Sequence, residues 1–241
     1  MAGEDGDASP RRARDSVAAE PVLVELAALL AEVRPDLGVS VGGDAFAVVS
    51  ENRKLAGVWG DPGAEAIRAV AATVAAAGTL LAYADNVAAV RKALPGWRVE
   101  RAWQHVLRDE SALEGVETGP AATVTRATVS EAEIDASLRE ELLDAVRRGP
   151  VFAAWADGRP VAFAHAPLRT TRWYDLSVDT VPAFRRQGHA TRAFAALWRQ
   201  LRREGLAPVW GATEGNEASL RMAARLGFVR AGEVFVFCRP E

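Results

Sequence analysis

Along the chain, apolar residues recur in alternating helical and strand periods. VLVELAALLAEV (22–33) has the period of a helix that stops before Pro35. AFAVVS and KLAGVW predict two short strands around Glu51-Asn52. The Ala-rich run from Ala64 to Ala77 predicts a helix closed by Gly78. TLLAY then predicts a strand, DNVAAVRKAL a helix and WRVERAWQHVL a long strand.

The same alternation continues beyond Ala121. TVTRATV predicts a strand, and Ser130 followed by Glu133 predicts a capping box. Ile134, Leu138, Leu142 and Ala145 mark the buried stripe of the next helix. VFAAWA and PVAFAH flank Asp157-Gly158, a two-residue hairpin turn. WYDLSVDT predicts a strand. The helix after it carries Ala190, Phe194, Leu197 and Leu201 on one face, with Gly205 past its end. PVWGAT is a strand, Asn216 caps a helix ended by Gly227, and EVFVF is the last strand. A weak internal repeat lays AYADNVAAVRKALPGWRVERAWQHVL over GATEGNEASLRMAARLGFVRAGEVFVF. Both run strand, Asn cap (Asn86, Asn216), short helix, Gly-aromatic, strand.

This pattern predicts an α/β protein of the α+β kind, with a mixed, mostly antiparallel sheet flanked by helices. At 241 residues it allows one large domain or two small ones. Residues 1–19, rich in Gly, Asp and Arg, predict a disordered tail. Residues 20–117 and 118–241 are expected to form two domains. Apolar residues make up 49%, enough for a real core. The net charge of −3 provides no basic excess for a nucleic-acid backbone, so no nucleic-acid partner is expected. The one cysteine, Cys238, forms no intrachain disulfide, and the three histidines (His105, His165, His189) lie far apart, so no metal is expected. No apolar run is long enough to span a membrane, and acids and Pro precede any apolar stretch at the start. A soluble, cytoplasmic protein is the expectation.

The candidate chemistry lies in DLSVDTVPAFRRQGHATRAF. A strand runs through Arg185-Arg186-Gln187-Gly188-His189-Ala190 into a helix. Free N–H groups and the positive dipole end make a helix's first turn an anion site. Gly188 permits close approach of a ligand, Ala190 stays small, and Arg185 and Arg186 add charge. The loop is neither a Walker loop nor a Rossmann fingerprint, because Gly-Lys-Ser/Thr and the further glycines are missing.

Pro182, Phe184, Arg185, Gly188 and Ala190, followed by Asn216, Ser219, Gly227 and Phe228, resemble the two signatures of the GNAT superfamily of acyl-CoA-dependent N-acyltransferases. The resemblance covers about residues 121–241. DLSVDT and APVW also resemble a subgroup with an acid at the position of Asp175 and a Pro-x-Trp after the helix. The first half has acids in GVWGDPGAEAI where the second has its basic loop, which is similar to a degenerate GNAT half that has lost the cofactor site.

The resemblance implies a GNAT fold and transfer of an acetyl or other acyl group from acetyl-CoA to a primary amine, by direct attack in a ternary complex. The acceptor would be a small molecule or a protein amine. It implies coenzyme contacts from the backbone of Val178, Asp179 and Thr180, from Arg185, Arg186, Gln187, Gly188, His189 and Ala190, and from Asn216 and Ser219. The strand before the loop and PVWGAT would splay apart to admit the acyl arm. Asp175 is the candidate base, its alternative being a surface carboxylate on an alternating strand, with Tyr174 on the opposite face. Many relatives place a Tyr acid where this chain has Ala223. That departure leaves a second reading open, a coenzyme A-binding sensor or interaction module without turnover. His165 reads as a core or cleft-lining residue, and Trp210 as core or a lining of the splay. Acceptor identity, acyl length and oligomeric state are not legible.

Overall fold

The computed structural model describes residue 17 and residues 19–32, 40–42, 45–50, 54–119 and 121–240. Most of the 1–19 tail and the Glu51-Asn52 turn lie outside the described residues. Val17 is described, and its side chain is fully buried. The chain divides into two compact units. One holds Met1–His105, Gly211–Leu220 and Arg230–Glu241; the other holds Val106–Trp210 and Arg221–Val229.

In the first unit, α1 (Val24–Glu32) precedes β1 (Ser40–Gly42), β2 (Ala45–Val49) and β3 (Leu55–Trp59). Then come α2 (Ala64–Thr73), β4 (Thr79–Ala82), α3 (Val87–Ala93) and β5 (Arg98–Leu107), whose last two residues belong to the other unit. The strands β1, β2 and β3 pair antiparallel in sequence, and β3 pairs parallel with β4. Phe46 and Val48 of β2 and Leu81 of β4 pack on Leu26, Leu29 and Leu30 of α1. Their neighbours Ala47, Val49, Leu80 and Ala82 pack on Ile67, Val70 and Val90 of the other two helices. The period-2 alternation of strands buried on both faces produces this three-layer arrangement. The helix predicted over Ala64–Ala77 stops at Thr73, because Val74 turns extended and buries its side chain in the same core.

In the second unit, α4 (Ser111–Glu114) is followed by β6 (Ala122–Thr123), α5 (Arg126–Glu131) and α6 (Ala136–Arg148). Then come β7 (Phe152–Ala156), β8 (Arg159–His165), β9 (Trp173–Asp175) and β10 (Ser177–Thr180). The remaining elements are α7 (His189–Arg203), β11 (Ala207–Thr213), α8 (Glu217–Arg225) and β12 (Phe228–Cys238), the last three shared between the units. The antiparallel order β10-β8-β7-β6 carries α5 and α6 on one face, where Val129, Leu142 and Ala145 meet Ala153 and Phe163. The helix α7 packs against β7, β8 and β10, burying Phe194, Leu197 and Leu201. Asp157 and Gly158, both at positive φ, form the expected hairpin turn between β7 and β8. Mixed, mostly antiparallel sheets flanked by helices are what the periodicity predicts.

Three local expectations are overturned. TVTRATV is mostly helix rather than strand: the Thr125 side chain accepts the Thr128 N–H, and Arg139 donates to the carbonyls of Val129, Ser130, Ala132 and Ile134 at the helix end. Those tertiary hydrogen bonds outweigh the β-branched composition. Ser130 therefore lies inside α5, and the cap of α6 is Asp135, which accepts the Leu138 N–H. Asn86 occupies the cap position of α3, yet its side chain points elsewhere. Its Oδ1 accepts the Tyr83 N–H and its Nδ2 donates to the Val58 carbonyl.

Gly227 explains its place in the Gly-aromatic motif. Its φ is +85°, and a Cβ there would run into the Asp109 carbonyl oxygen. Its own carbonyl accepts the N–H groups of Arg108 and Asp109. Gly227→Ala is expected to destabilise the protein by about 2–4 kcal/mol, read as a lower urea midpoint.

Candidate functional site

The strand predicted over WYDLSVDT breaks in two at Leu176. Up to Asp175 it pairs parallel with β11, in the register Trp173 to Ala207 and Asp175 to Val209. The bond from Leu176 N–H to Val209 O (3.1 Å) is followed by departure from β11. From Ser177 the chain pairs antiparallel with β8 alone, Ser177 opposite His165 and Thr180 opposite Ala162. One edge of β10 is thus left open.

Register decides which amides face that edge. Val181 N–H donates to Val161 O, in line with the β10–β8 register. Hydrogen-bonded and non-bonded pairs alternate in an antiparallel ladder. Ser177 and Asp179 therefore bond to β8, whereas Val178 and Thr180 turn their N–H groups to the open edge. Of the three backbone positions expected at the coenzyme, Asp179 is the one whose N–H is committed elsewhere.

The open edge leads into the basic loop. Gly188, at φ +82° and ψ 0°, is the N-cap of α7, with little around a would-be Cβ. The N–H groups of His189, Ala190 and the next residue open the helix and lack intrahelical acceptors. Arg186 also holds a left-handed φ of +62°, a conformation that costs on the order of 1–3 kcal/mol outside glycine. Arg185, Arg186, Gln187 and Gly188 are exposed. Arg185 Nε donates to Thr180 O (3.3 Å) and Gln187 Nε2 to Ala183 O (3.4 Å), so both side chains brace the loop. Arg192, which the sequence reading missed, donates to Gln187 O and meets His189 Nδ1 at 3.4 Å. Burial and Arg192 hold the His189 imidazole below its usual pKa, and its ring packs edge-on against Phe184. The His189 ring is thus buried and structural. The arrangement is an exposed row of backbone donors with cationic flanks and no facing carboxylate from the loop itself.

Asp175 ends β9 at the point where the strands part. Burial pushes its carboxyl up to about 6, and Glu141 adds to the rise; the Leu176 N–H and His165 oppose it. Glu141, on α6, accepts from Ser177 Oγ (3.0 Å) and contacts His165 Nε2 at 3.1 Å. His165 is 2% exposed. Burial and then Glu141 also raise the pKa of Asp179. Asp175, His165, Ser177, Asp179 and Glu141 thus form one polar cluster on the α6 side of the sheet. Sequence reasoning found Asp175 and Asp179, read His165 as a core or cleft-lining residue, and missed Glu141. Its position between Leu138 and Leu142 of the apolar stripe was the available signal. Tyr174 is fully buried, with its pKa raised by burial. Trp210 packs edge-to-face on Phe194 and Phe228, which makes it core. Asn216 Oδ1 accepts the Ser219 N–H at the start of α8, the cap the sequence predicts. Ala223 is fully buried. Among the described residues no group of three His, Cys, Asp or Glu could hold a metal ion, and no helix is long and apolar enough to cross a membrane.

Residues 139–237 match the family model of GNAT acetyltransferases. That segment, less than half of the chain, is similar to the GNAT acetyltransferases. No curated protein matches it significantly. Among solved structures, a GCN5-related N-acetyltransferase-like protein from Streptococcus suis aligns with a TM-score of 0.68 at 17% identity, over 95% of this chain and 98% of its own. A GCN5-related N-acetyltransferase from Kribbella flavida aligns at 0.59 and 19% identity, over 97% and 96%. The tandem GNAT protein of the clavulanic acid biosynthesis pathway aligns at 0.53 and 17% identity, over 98% and 97%. At these identities the likeness establishes the fold. The matched segment contains the split strand, the loop and Asp175. The family supports acyl transfer in general terms.

Proposed function

We propose that this protein is a GNAT acyltransferase that transfers the acetyl group of acetyl-CoA to a primary amine, by direct attack in a ternary complex. The observation that carries the reading is the parting of β10 from β11 at Asp175, with an open amide edge running into the left-handed Gly188 turn. When bound, the coenzyme supplies an activated acyl thioester. The amides of Val178 and Thr180 would face its arm, and the first-turn amides of α7, with Arg185 and Arg186, would face its diphosphate. Asn216 and Ser219 enter only through the family signature.

The acceptor must shed a proton before it attacks. An alkylamine of pKa about 10.4 is neutral in roughly one molecule in 2,500 at pH 7, a deficit of about 4–5 kcal/mol. Asp175, held near 6, is largely ionised at pH 7 and still basic enough to accept that proton. The second proton follows after the C–N bond replaces the C–S bond, and the departing thiolate can take it from solvent. Ala223 supplies no hydroxyl for that step. A coenzyme-binding module without turnover is the competing reading, and Ala223 is the observation that favours it. Incubation with acetyl-CoA and an amine panel decides between them: free thiol appears for a transferase, whereas thermal stabilisation by coenzyme A without thiol release overturns the enzyme reading.

Glu141 raises the Asp175 pKa and holds His165. Glu141→Gln is expected to move the acid limb of the kcat/KM–pH profile below about 6, with a smaller effect on kcat at pH 8. An unmoved limb would remove Glu141 from the site.

Residues 20–117 are read as a degenerate GNAT half. Its parallel pair β3–β4 is laced at the end by Asn86 to Val58 O, where the other unit's parallel pair parts. The turn after β3 has Asp61 in place of the arginines. Coenzyme A is expected to bind with one site per chain, measured by calorimetry.

A further inference from the structure

The first unit carries a cavity of its own, of about 290 Å³, at the carboxyl ends of the parallel strands β3 and β4. That is close to the lower end of the ~300–1,000 Å³ typical of small-molecule sites. In open α/β sheets this end of the strands is where ligands bind. The coenzyme reading leaves this half unused.

The lining is specific in chemistry. Trp59 and Tyr83 form an aromatic corner, ring centroids 5.8 Å apart and planes at 70°. Asp61 and Asp85 stand at the exposed mouth. No Lys, Arg or His is among the lining residues. Asp85 forms no ion pair or hydrogen bond among the described residues, and Asp61 accepts only the Gly63 N–H (3.1 Å). Glu65, in the first turn of α2, adds a third negative charge nearby in sequence.

The cavity is also built. Asn86, 2% exposed, accepts the Tyr83 N–H and donates to Val58 O, each at 2.8 Å, so both strand ends are tied where they form the cavity. Asn86 thus positions Tyr83 rather than capping a helix. A site held this way loses little order on binding. Two carboxylates repel a phosphate or carboxylate ligand. Aromatic faces with carboxylates favour a compact cation, through cation–π attraction and charge.

We infer that this cavity, formed by Trp59, Tyr83, Asp61 and Asp85, binds a small organic ammonium ion. The inference does not depend on the coenzyme site. It is tested by titrating the full chain with tetramethylammonium chloride at constant ionic strength, against its neutral near-isostere tert-butanol. Saturable heat and a change in tryptophan emission are expected for the cation alone. Asp85→Asn, at an exposed side chain, is expected to weaken binding at least tenfold without shifting the melting temperature. Trp59→Phe, which keeps a ring, is expected to remove most of the emission change. Asp175→Asn is expected to leave binding intact, which separates this cavity from the carboxylates of the other unit. Equal responses to the cation and the alcohol, wild-type affinity in Asp85→Asn, or loss of binding in Asp175→Asn would each overturn the inference.

Discussion

Asp175→Asn is expected to lower turnover about 10²–10⁴-fold at pH 7 while making the protein more stable at pH 8. Both effects come from burial of one carboxyl. In the folded protein its pKa rises from 3.8 to about 6. Folding therefore binds the proton more tightly between those values. The stability associated with the protonated form is present below about pH 4 and is lost as pH rises through about 6. The shift of about two units corresponds to at most about 3 kcal/mol. Asparagine lacks the ionised form and escapes that loss. Urea unfolding at pH 4 and pH 8 reads the effect: the variant gains stability at pH 8 and little at pH 4. An equal difference at both pH values would mean that Asp175 is not the strained group. Wild-type kcat/KM should rise through about pH 6, and that limb should vanish in the variant. Unchanged turnover would exclude Asp175 as the base.

Gly188→Asp is expected to weaken coenzyme A binding by at least 100-fold with only a small loss of stability. The backbone at Gly188 is left-handed, and Asp tolerates that region better than most non-glycine residues. Its Cβ would meet nothing nearer than Arg192, at 4.0 Å. The fold should therefore survive at a cost of about 1 kcal/mol. The ligand should not, because the carboxylate stands at the helix N-terminus where a diphosphate would lie. Calorimetric titration and a melting curve separate the two effects. Normal affinity would refute the loop assignment, and a collapsed melting curve would transfer the role of Gly188 to the fold.

Much of this chain could be read locally. The Asp157-Gly158 turn, the Asn216 cap, the helix closed by Gly205 and the Gly188 turn each depend on a few neighbouring residues, and each is where the pattern puts it. TVTRATV misled because its β-branched residues favour a strand, while Arg139 on the next helix donates to the Val129 and Ser130 carbonyls and holds a helix end. Val74 ended a helix early because a core needed its side chain in an extended backbone. Glu141 interrupts the apolar stripe of its helix, but nothing local names its partner, a histidine two strands later.

The amino-acid order alone thus determined most element types, the α+β class and the left-handed turn at Gly188, since periodicity, caps and turn residues act over a few positions. Tertiary structure decided the rest. It chose where the strand leaves β11, which amides face the open edge, and that Asn86 laces one parallel pair shut while the other parts. It also raised Asp175 into the range of a useful base, because desolvation and the charge of Glu141 exist only once distant segments pack together.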